Sequence, residues 1–163
     1  MPVQFHDFIV PGALVCDLAA STKAEALGGL VDALVAAGAL HPDRGAPAMQ
    51  ALLARERISA TAVGGGAAIP HAKCPGVPRL MGAVGHCRAG VPFGAGDDEP
   101  VRLFFLLLSG QEDSARHLEA LAHISRCLRD TLFHRFLANA RSPQEMRDVL
   151  ETADRRSFGA RSG

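Results

Sequence analysis

The sequence has no excess charge of either sign: 17 Lys and Arg stand against 17 Asp and Glu in 163 residues. A general nucleic-acid binder needs a basic footprint to neutralise phosphates, so no nucleic-acid partner is expected; a local phosphate site stays open. Long apolar runs are also missing. The longest, Val101 to Leu108, is interrupted by Arg102 and is far too short to span a bilayer, so no membrane insertion is expected. Cysteine is sparse and unpatterned: Cys16, Cys74, Cys87 and Cys127 form no CxxC pair and no metal-finger spacing. The start shows no charged, then apolar, then small-residue leader. Four free thiols, packed as small hydrophobes in a reducing cytoplasm, are the expectation. No low-complexity linker divides the chain and no internal repeat is visible. At 48% hydrophobic and 21% charged residues, one globular domain over 1–163 is expected and disorder is not.

What is present is a pattern of helices around a strand-rich middle. Asp17 to Ala37 reads as a helix: Thr22-Lys23-Ala24-Glu25 has capping-box form, Ala26, Leu27, Leu30, Leu34 and Val35 recur at helical spacing, and Gly38 is a stop. His41-Pro42-Asp43 is a turn, and a second helix runs from about Pro47 to Glu56. Thr61 to Val63 reads as extended, Gly64-Gly65-Gly66 as a tight turn, and Ala67 to Ile69 as a short apolar segment stopped by Pro70-His71. Two prolines and a glycine make Lys73 to Pro78 a loop. Leu80 to Cys87 and Val101 to Leu108 read as strands, joined by a Gly-, Pro- and Asp-rich connection over Val91 to Pro100. Ser114 to Leu128 is a helix with Leu118, Leu121, Ala122, Ser125 and Leu128 on its stripe; Thr131 to Ala138 is another. Ser142-Pro143-Gln144-Glu145 opens a last helix ending near Thr152, with a frayed tail from about Arg155. Helices first, strands in the middle and helices last make a mixed α and β domain.

Seven histidines are the unusual feature. His71 follows a glycine triplet, an apolar segment and Pro70, which fixes its own φ and stiffens the presentation of the imidazole. The N–H groups of glycines 64 to 66 suit an anion, and a neutral imidazole is a nucleophile near pH 7. The alternative is a histidine that caps a loop carbonyl at a strand end. His117, one turn before Leu121, faces inward, either as an active-site partner or as a satisfied core histidine. Arg55 and Glu56 close the second helix; the guanidinium fork suits phosphate oxygens, and the alternative is a solvated charged pair. His6, His41, His86, His123 and His134 have no comparable setting, and His123 and His134 read as surface or boundary residues. The sequence holds no HxxxH or HxH pair for zinc, no GxSxG around Ser59 or Ser109, and no Lys-Ser or Lys-Thr after the glycines to make a nucleotide-binding loop.

These local features combine into a resemblance. The run from Arg55-Glu56 through Thr61-Ala62-Val63-Gly64-Gly65-Gly66 to Ile69-Pro70-His71 resembles the signature of the type-2 EIIA domains of the phosphoenolpyruvate-dependent phosphotransferase system, its fructose, mannitol and nitrogen-regulatory branch. His117-Leu118-Glu119-Ala120-Leu121-Ala122 resembles that family's His-Leu-x-x-Leu-Ala helix start. Phe93 to Val101 resembles the stretch before its next core strand, and Ser142 to Glu145 its last helix start. The resemblance covers roughly residues 8 to 152, which would be the core of the domain. It implies a mixed β-sheet flanked by helices on both sides. It also implies a phosphorylated nucleophile at His71, a second active-site histidine at His117 that orients or stabilises the first, a phosphoryl-steadying Arg55, and a Thr61 of less defined role. Ala60 and Ala62 depart from the usual glycine or small hydroxyl without removing a reactive group.

The resemblance further implies a phosphotransferase without metal or organic cofactor. His71 Nε2 would take a phosphoryl group from the phosphohistidine of an HPr/NPr-type carrier, with the apolar strand residues beside His71 forming a docking face. Ile9-Val10-Pro11, Val15 to Leu18 and Ser21 to Lys23 resemble the nitrogen-regulatory members, and no EIIB-like or membrane segment follows Thr152. A free-standing regulator of nitrogen- and potassium-linked protein targets is therefore expected. A sugar-specific EIIA passing phosphate to an EIIB domain for fructose or mannitol uptake is the alternative; a non-phosphorylated binding regulator is a third reading.

Overall fold

The structure, a computed structural model, describes residues 2–94 and 99–159. A short helix α1 (Phe5–Phe8) leads into strand β1 (Ile9–Val15), helix α2 (Lys23–Ala36), a 3-10 turn (Pro42–Arg44) and helix α3 (Gly45–Ile58). Strands β2 (Ala62–Gly64), β3 (Ala67–Ala68), β4 (His71–Lys73), β5 (Met81–Val91) and β6 (Val101–Ser109) follow. Helices α4 (Ser114–Leu128), α5 (Thr131–Ala138) and α6 (Pro143–Gly159) close the chain.

The six strands form one mixed sheet in the order β1-β5-β6-β3-β2, with β4 also on β6. The apolar run of β6 makes it a central strand, because only a strand covered on both faces buries nearly every residue. Alternation then sorts its side chains. Phe104, Leu106 and Leu108 enter a core shared with α2 and α3. Leu103, Phe105 and Leu107 enter a second core with Phe5, Ile124, Phe133 and Met146 from α1, α4, α5 and α6. Helices thus cover both faces of a mixed sheet, the fold class anticipated.

Several boundaries differ from the sequence reading. The chain does not begin with helices alone, because β1 pairs in parallel with β5. Pro11 and Gly12 interrupt its pattern, which an edge strand tolerates because it need not donate on its open side. Helix α2 starts at Lys23 rather than Asp17. Thr22 Oγ1 accepts the Glu25 N–H at 3.1 Å as the true N-cap, while Leu18 donates its N–H to the His86 carbonyl at 2.8 Å and lies against the sheet. Helix α3 extends to Gly45–Ile58 at both ends. Helix α6 begins where its capping signal placed it, with the Glu145 N–H on Ser142 Oγ at 3.1 Å. It continues through Gly159, past the end near Thr152 read from the sequence. Residues 95–98 of the Phe93–Val101 resemblance, and the last four residues of the expected tail, lie outside the described residues.

Candidate active site

The geometry around His71 begins with an interrupted strand. Ala67 pairs with Leu103 and His71 with Leu107, both parallel and at the same offset. β3 and β4 are therefore one strand in register, broken at Ile69-Pro70. Proline has no N–H for the ladder, which accounts for the break; the Pro70 carbonyl still accepts the Leu107 N–H at 2.9 Å. In a ladder, paired residues share a face, so His71 lies on the Leu107 side, toward α4. Helix α4 delivers His117 to that same face, and the two imidazoles meet edge to face with centroids 5.6 Å apart.

The Nδ1 of His71 lies 2.7 Å from the Ile69 carbonyl. A carbonyl only accepts, so Nδ1 carries the proton and Nε2 keeps the lone pair. Burial holds the His71 pKa below the ordinary histidine value; the Ile69 hydrogen bond opposes this, and the Arg55 charge adds to it. The ring is neutral near pH 7 and nucleophilic at Nε2.

His117 is 4% exposed. Its Nδ1 lies 2.6 Å from Ser109 Oγ on the last residue of β6. Burial, with the nearby His71 and Lys73 adding to it, pushes its pKa down to about 4. Lys73, two residues beyond His71 and on the same face, donates to Ser114 Oγ at 2.5 Å and places a positive charge at the start of α4.

Arg55 is half-buried near the end of α3, where it donates to the Ser59 carbonyl at 2.8 Å. That bond closes the end of the helix. Its neighbour Glu56 is not a solvated helix-end charge: it is buried, and its carboxylate accepts from Lys23 Nζ at 3.1 Å, from the Thr61 N–H at 3.2 Å and from the Thr61 hydroxyl. The hydroxyl of Thr61 is thus committed to Glu56. The Thr61 carbonyl in turn accepts the Ile69 N–H at 3.0 Å, one peptide from the carbonyl that orients His71. Between them, Gly64, Gly65 and Gly66 have φ of 89°, 66° and 79°, a left-handed run that side chains disfavour.

The structure therefore brings His71 and His117 together, lets the Arg55 charge act on His71, and ties the Thr61 carbonyl to the Ile69 N–H behind them. Sequence reasoning missed Ser109 and the buried role of Glu56. A polar residue ending an otherwise apolar central strand was the available signal for Ser109; Glu56 offered none beyond its place after Arg55. The expected docking face also differs. Ala67, Ala68 and Ile69 are buried, whereas Ile58 (80% exposed), Val63 (50%) and Leu118 (67%) present the apolar surface from α3, β2 and α4. Leu118, placed on the inner stripe of α4 from its spacing, points to solvent because the stripe runs through His117, Ala120 and Ile124. His123 is likewise buried at 4% rather than at the surface. A cavity of about 570 Å³ lies between α4, α5 and α6, lined by His123, Cys127, Phe133 and Phe136 among others, and none of the residues around His71 borders it. Among the described residues, no group of three or more His, Cys, Asp or Glu side chains is arranged to hold a metal, and no helix is long and apolar enough to cross a membrane.

His71 thus resumes a strand broken at Ile69-Pro70, in a mixed sheet covered by helices on both faces, with His117 beside it. The family model described as "Phosphoenolpyruvate-dependent sugar phosphotransferase system, EIIA 2" matches residues 8–153, and the chain belongs to that family. A nitrogen regulatory protein of Bradyrhizobium diazoefficiens is 35% identical over 92% of this chain and 95% of its own length. A fructose-specific EIIA component of Haloferax volcanii is 38% identical over 80% of this chain and 83% of its own. The solved structure of nitrogen regulatory protein IIA-Ntr from Neisseria meningitidis superposes with a TM-score of 0.79 at 28% identity, covering 88% of this chain and 97% of that one. Membership in the family carries a general phosphotransferase role.

Proposed function

We propose that this protein is a phosphocarrier in which His71 Nε2 accepts a phosphoryl group from the phosphohistidine of an HPr/NPr-type carrier. The observation that supports this most is the 2.7 Å contact of His71 Nδ1 with the Ile69 carbonyl, which leaves the Nε2 lone pair as the nucleophile. In the transfer, the donor's N–P bond breaks as the Nε2–P bond forms, and the donor nitrogen keeps the electron pair. No proton has to leave His71, because Nε2 has none to lose. The Nδ1–H stays on the ring, and the Ile69 carbonyl offsets the positive charge that develops there. His117 and Arg55 supply a donor and a positive charge to the phosphoryl oxygens, while the donor nitrogen and His71 Nε2 stand in line through phosphorus. The exposed apolar side chains Ile58, Val63 and Leu118 offer contacts to a transient partner.

The phosphoryl group adds negative charge at His71, which regulates binding to nitrogen- and potassium-linked protein targets. The likeness to the Bradyrhizobium regulator supports this branch. The likeness to the fructose-specific component supports the second reading, transfer onward to an EIIB domain in sugar uptake.

The test incubates the protein with phosphoenolpyruvate, Enzyme I and an HPr-type carrier and reads intact mass. One acid-labile phosphoryl group is expected on the wild type and none on His71→Ala. No gain on the wild type with any carrier overturns the proposal in favour of a binding-only regulator.

A further inference from the structure

Ser109 is fully buried at the end of β6, and its only partner among the described side chains is His117 Nδ1 at 2.6 Å. This contact has two possible proton arrangements. If His117 Nδ1 carried the proton, the Ser109 hydroxyl would be the acceptor, and its own hydrogen would be left buried without a partner, which is costly. If the hydroxyl donates to Nδ1, both groups are satisfied and the imidazole proton sits on Nε2. The second arrangement is the one the geometry favours. Neighbouring charges do not reverse it: the cations bearing on His117 are His71, when protonated, and Lys73, and the Lys73 ammonium is held by Ser114 Oγ.

We propose that Ser109 is a positioning residue that sets the His117 tautomer, so that His117 Nε2–H is a standing hydrogen-bond donor toward a phosphoryl oxygen on His71. The two histidines are thereby held in opposite tautomers by two different acceptor–donor contacts. The Ile69 carbonyl accepts a hydrogen bond from the Nδ1–H of His71 and leaves its Nε2 bare; the Ser109 hydroxyl donates to Nδ1 of His117 and leaves the ring proton on its Nε2. One ring is a nucleophile and the other a donor although both are neutral, and neither needs to titrate during transfer. His117 stays buried against β6, and its ring meets the His71 ring edge to face with centroids 5.6 Å apart. A donor fixed before the group arrives stabilises the transfer without reorganisation. The proposal deepens the phosphocarrier reading and rests on it for its kinetic part.

The tautomers are read directly from two-bond 1H–15N correlation spectra of uniformly 15N-labelled protein near neutral pH, with no partner present. The wild type is expected to show His117 bare at Nδ1 and protonated at Nε2, and Ser109→Ala to show a substantial Nδ1–H population. Phosphoryl transfer from the carrier to Ser109→Ala is expected to slow about tenfold, the cost of one lost oriented hydrogen bond. In a His117→Gln background, where the side-chain amide is a donor with no tautomer to set, Ser109→Ala is expected to change the rate no further. A merely structural serine would slow both backgrounds alike, and that result overturns the proposal. So does a wild-type His117 protonated at Nδ1. If the wild type accepts no phosphoryl group at all, the carrier reading fails, while the spectra still decide what Ser109 does to His117.

Discussion

Glu56→Gln is the sharpest perturbation of the support beneath the site. The wild-type carboxylate is 3% exposed and pairs with a Lys23 side chain that is 26% exposed, while also accepting both the N–H and the hydroxyl of Thr61. The amide keeps one oxygen for Thr61 but loses the charge, and it turns an N–H₂ toward either Lys23 or Thr61. Breaking a buried pair by removing one partner costs about 3–5 kcal/mol. Lys23 can swing part-way into water, and its ammonium already stands 4.5 Å over the Phe93 ring, so roughly 2 kcal/mol is expected here. For a domain of this size that is a fall in Tm of roughly 4–8 °C, measured by thermal unfolding followed by circular dichroism. Removing the stranded ammonium as well, in Glu56→Gln with Lys23→Met, should recover part of the loss. The damage should also reach the chemistry, because Thr61 holds Ile69 and Ile69 holds His71; phosphoryl transfer should slow even at temperatures where the variant is fully folded. A Tm within about 1 °C of wild type, with transfer unchanged, would show that the carboxylate is not the anchor described.

Three further outcomes are expected. The His117 pKa falls from its unfolded value to about 4 in the fold, and those of His71 and His123 are lowered in the same direction; the native state therefore binds fewer protons than the unfolded chain. This contribution to stability is complete above the unfolded histidine pKa of about 6.5 and is lost as pH falls toward 4. His117→Gln should flatten urea-unfolding stability over that window by on the order of 2 kcal/mol, allowing for solvent screening on the open side of the site. Asp154, on α6, accepts from the Phe5 N–H at 2.8 Å, the His6 N–H at 3.1 Å and the His6 ring, so Asp154→Ala should cost about 1–3 kcal/mol. It should speed hydrogen exchange at Phe5 and His6 while leaving phosphoryl acceptance intact, and slow exchange there would argue against the anchor. Arg55→Lys should keep the fold but reduce phosphoryl transfer roughly tenfold or more, since a point charge does not replace the planar fork; equal rates would remove the guanidinium from the chemistry.

Elements whose signals are local were legible in the sequence. The spacing in Ser114–Leu128 and Thr131–Ala138 set those helices to the residue, and Ser142-Pro143 marked the start of α6 because a cap and a proline act within one turn. Elements that depend on a distant partner were not. β1 is a strand only because β5 lies beside it; Pro11 and Gly12 hide it locally. The length of α6 follows from Asp154 reaching the chain's other end, more than a hundred residues away in sequence. At the site, His71 announced itself by Pro70 and the glycine triplet. Ser109 and Glu56 have partners only eight and five residues away, but each contact is closed by the turn after its element, whose geometry spacing alone does not give.

The shared offset of β3 and β4 against β6 has a consequence for the length of this segment. Side chains alternate faces with a period of two. One residue inserted between Ala68 and His71 would turn the imidazole onto the α3 side of the sheet and away from His117, with composition and chemistry otherwise intact. Two inserted residues would restore the face but slide the ring along β6 by roughly 7 Å, past the reach of a donor fixed on α4. The interval from glycine triplet to histidine is thus a ruler: the chain is free to vary which small apolar residues fill it, but not how many.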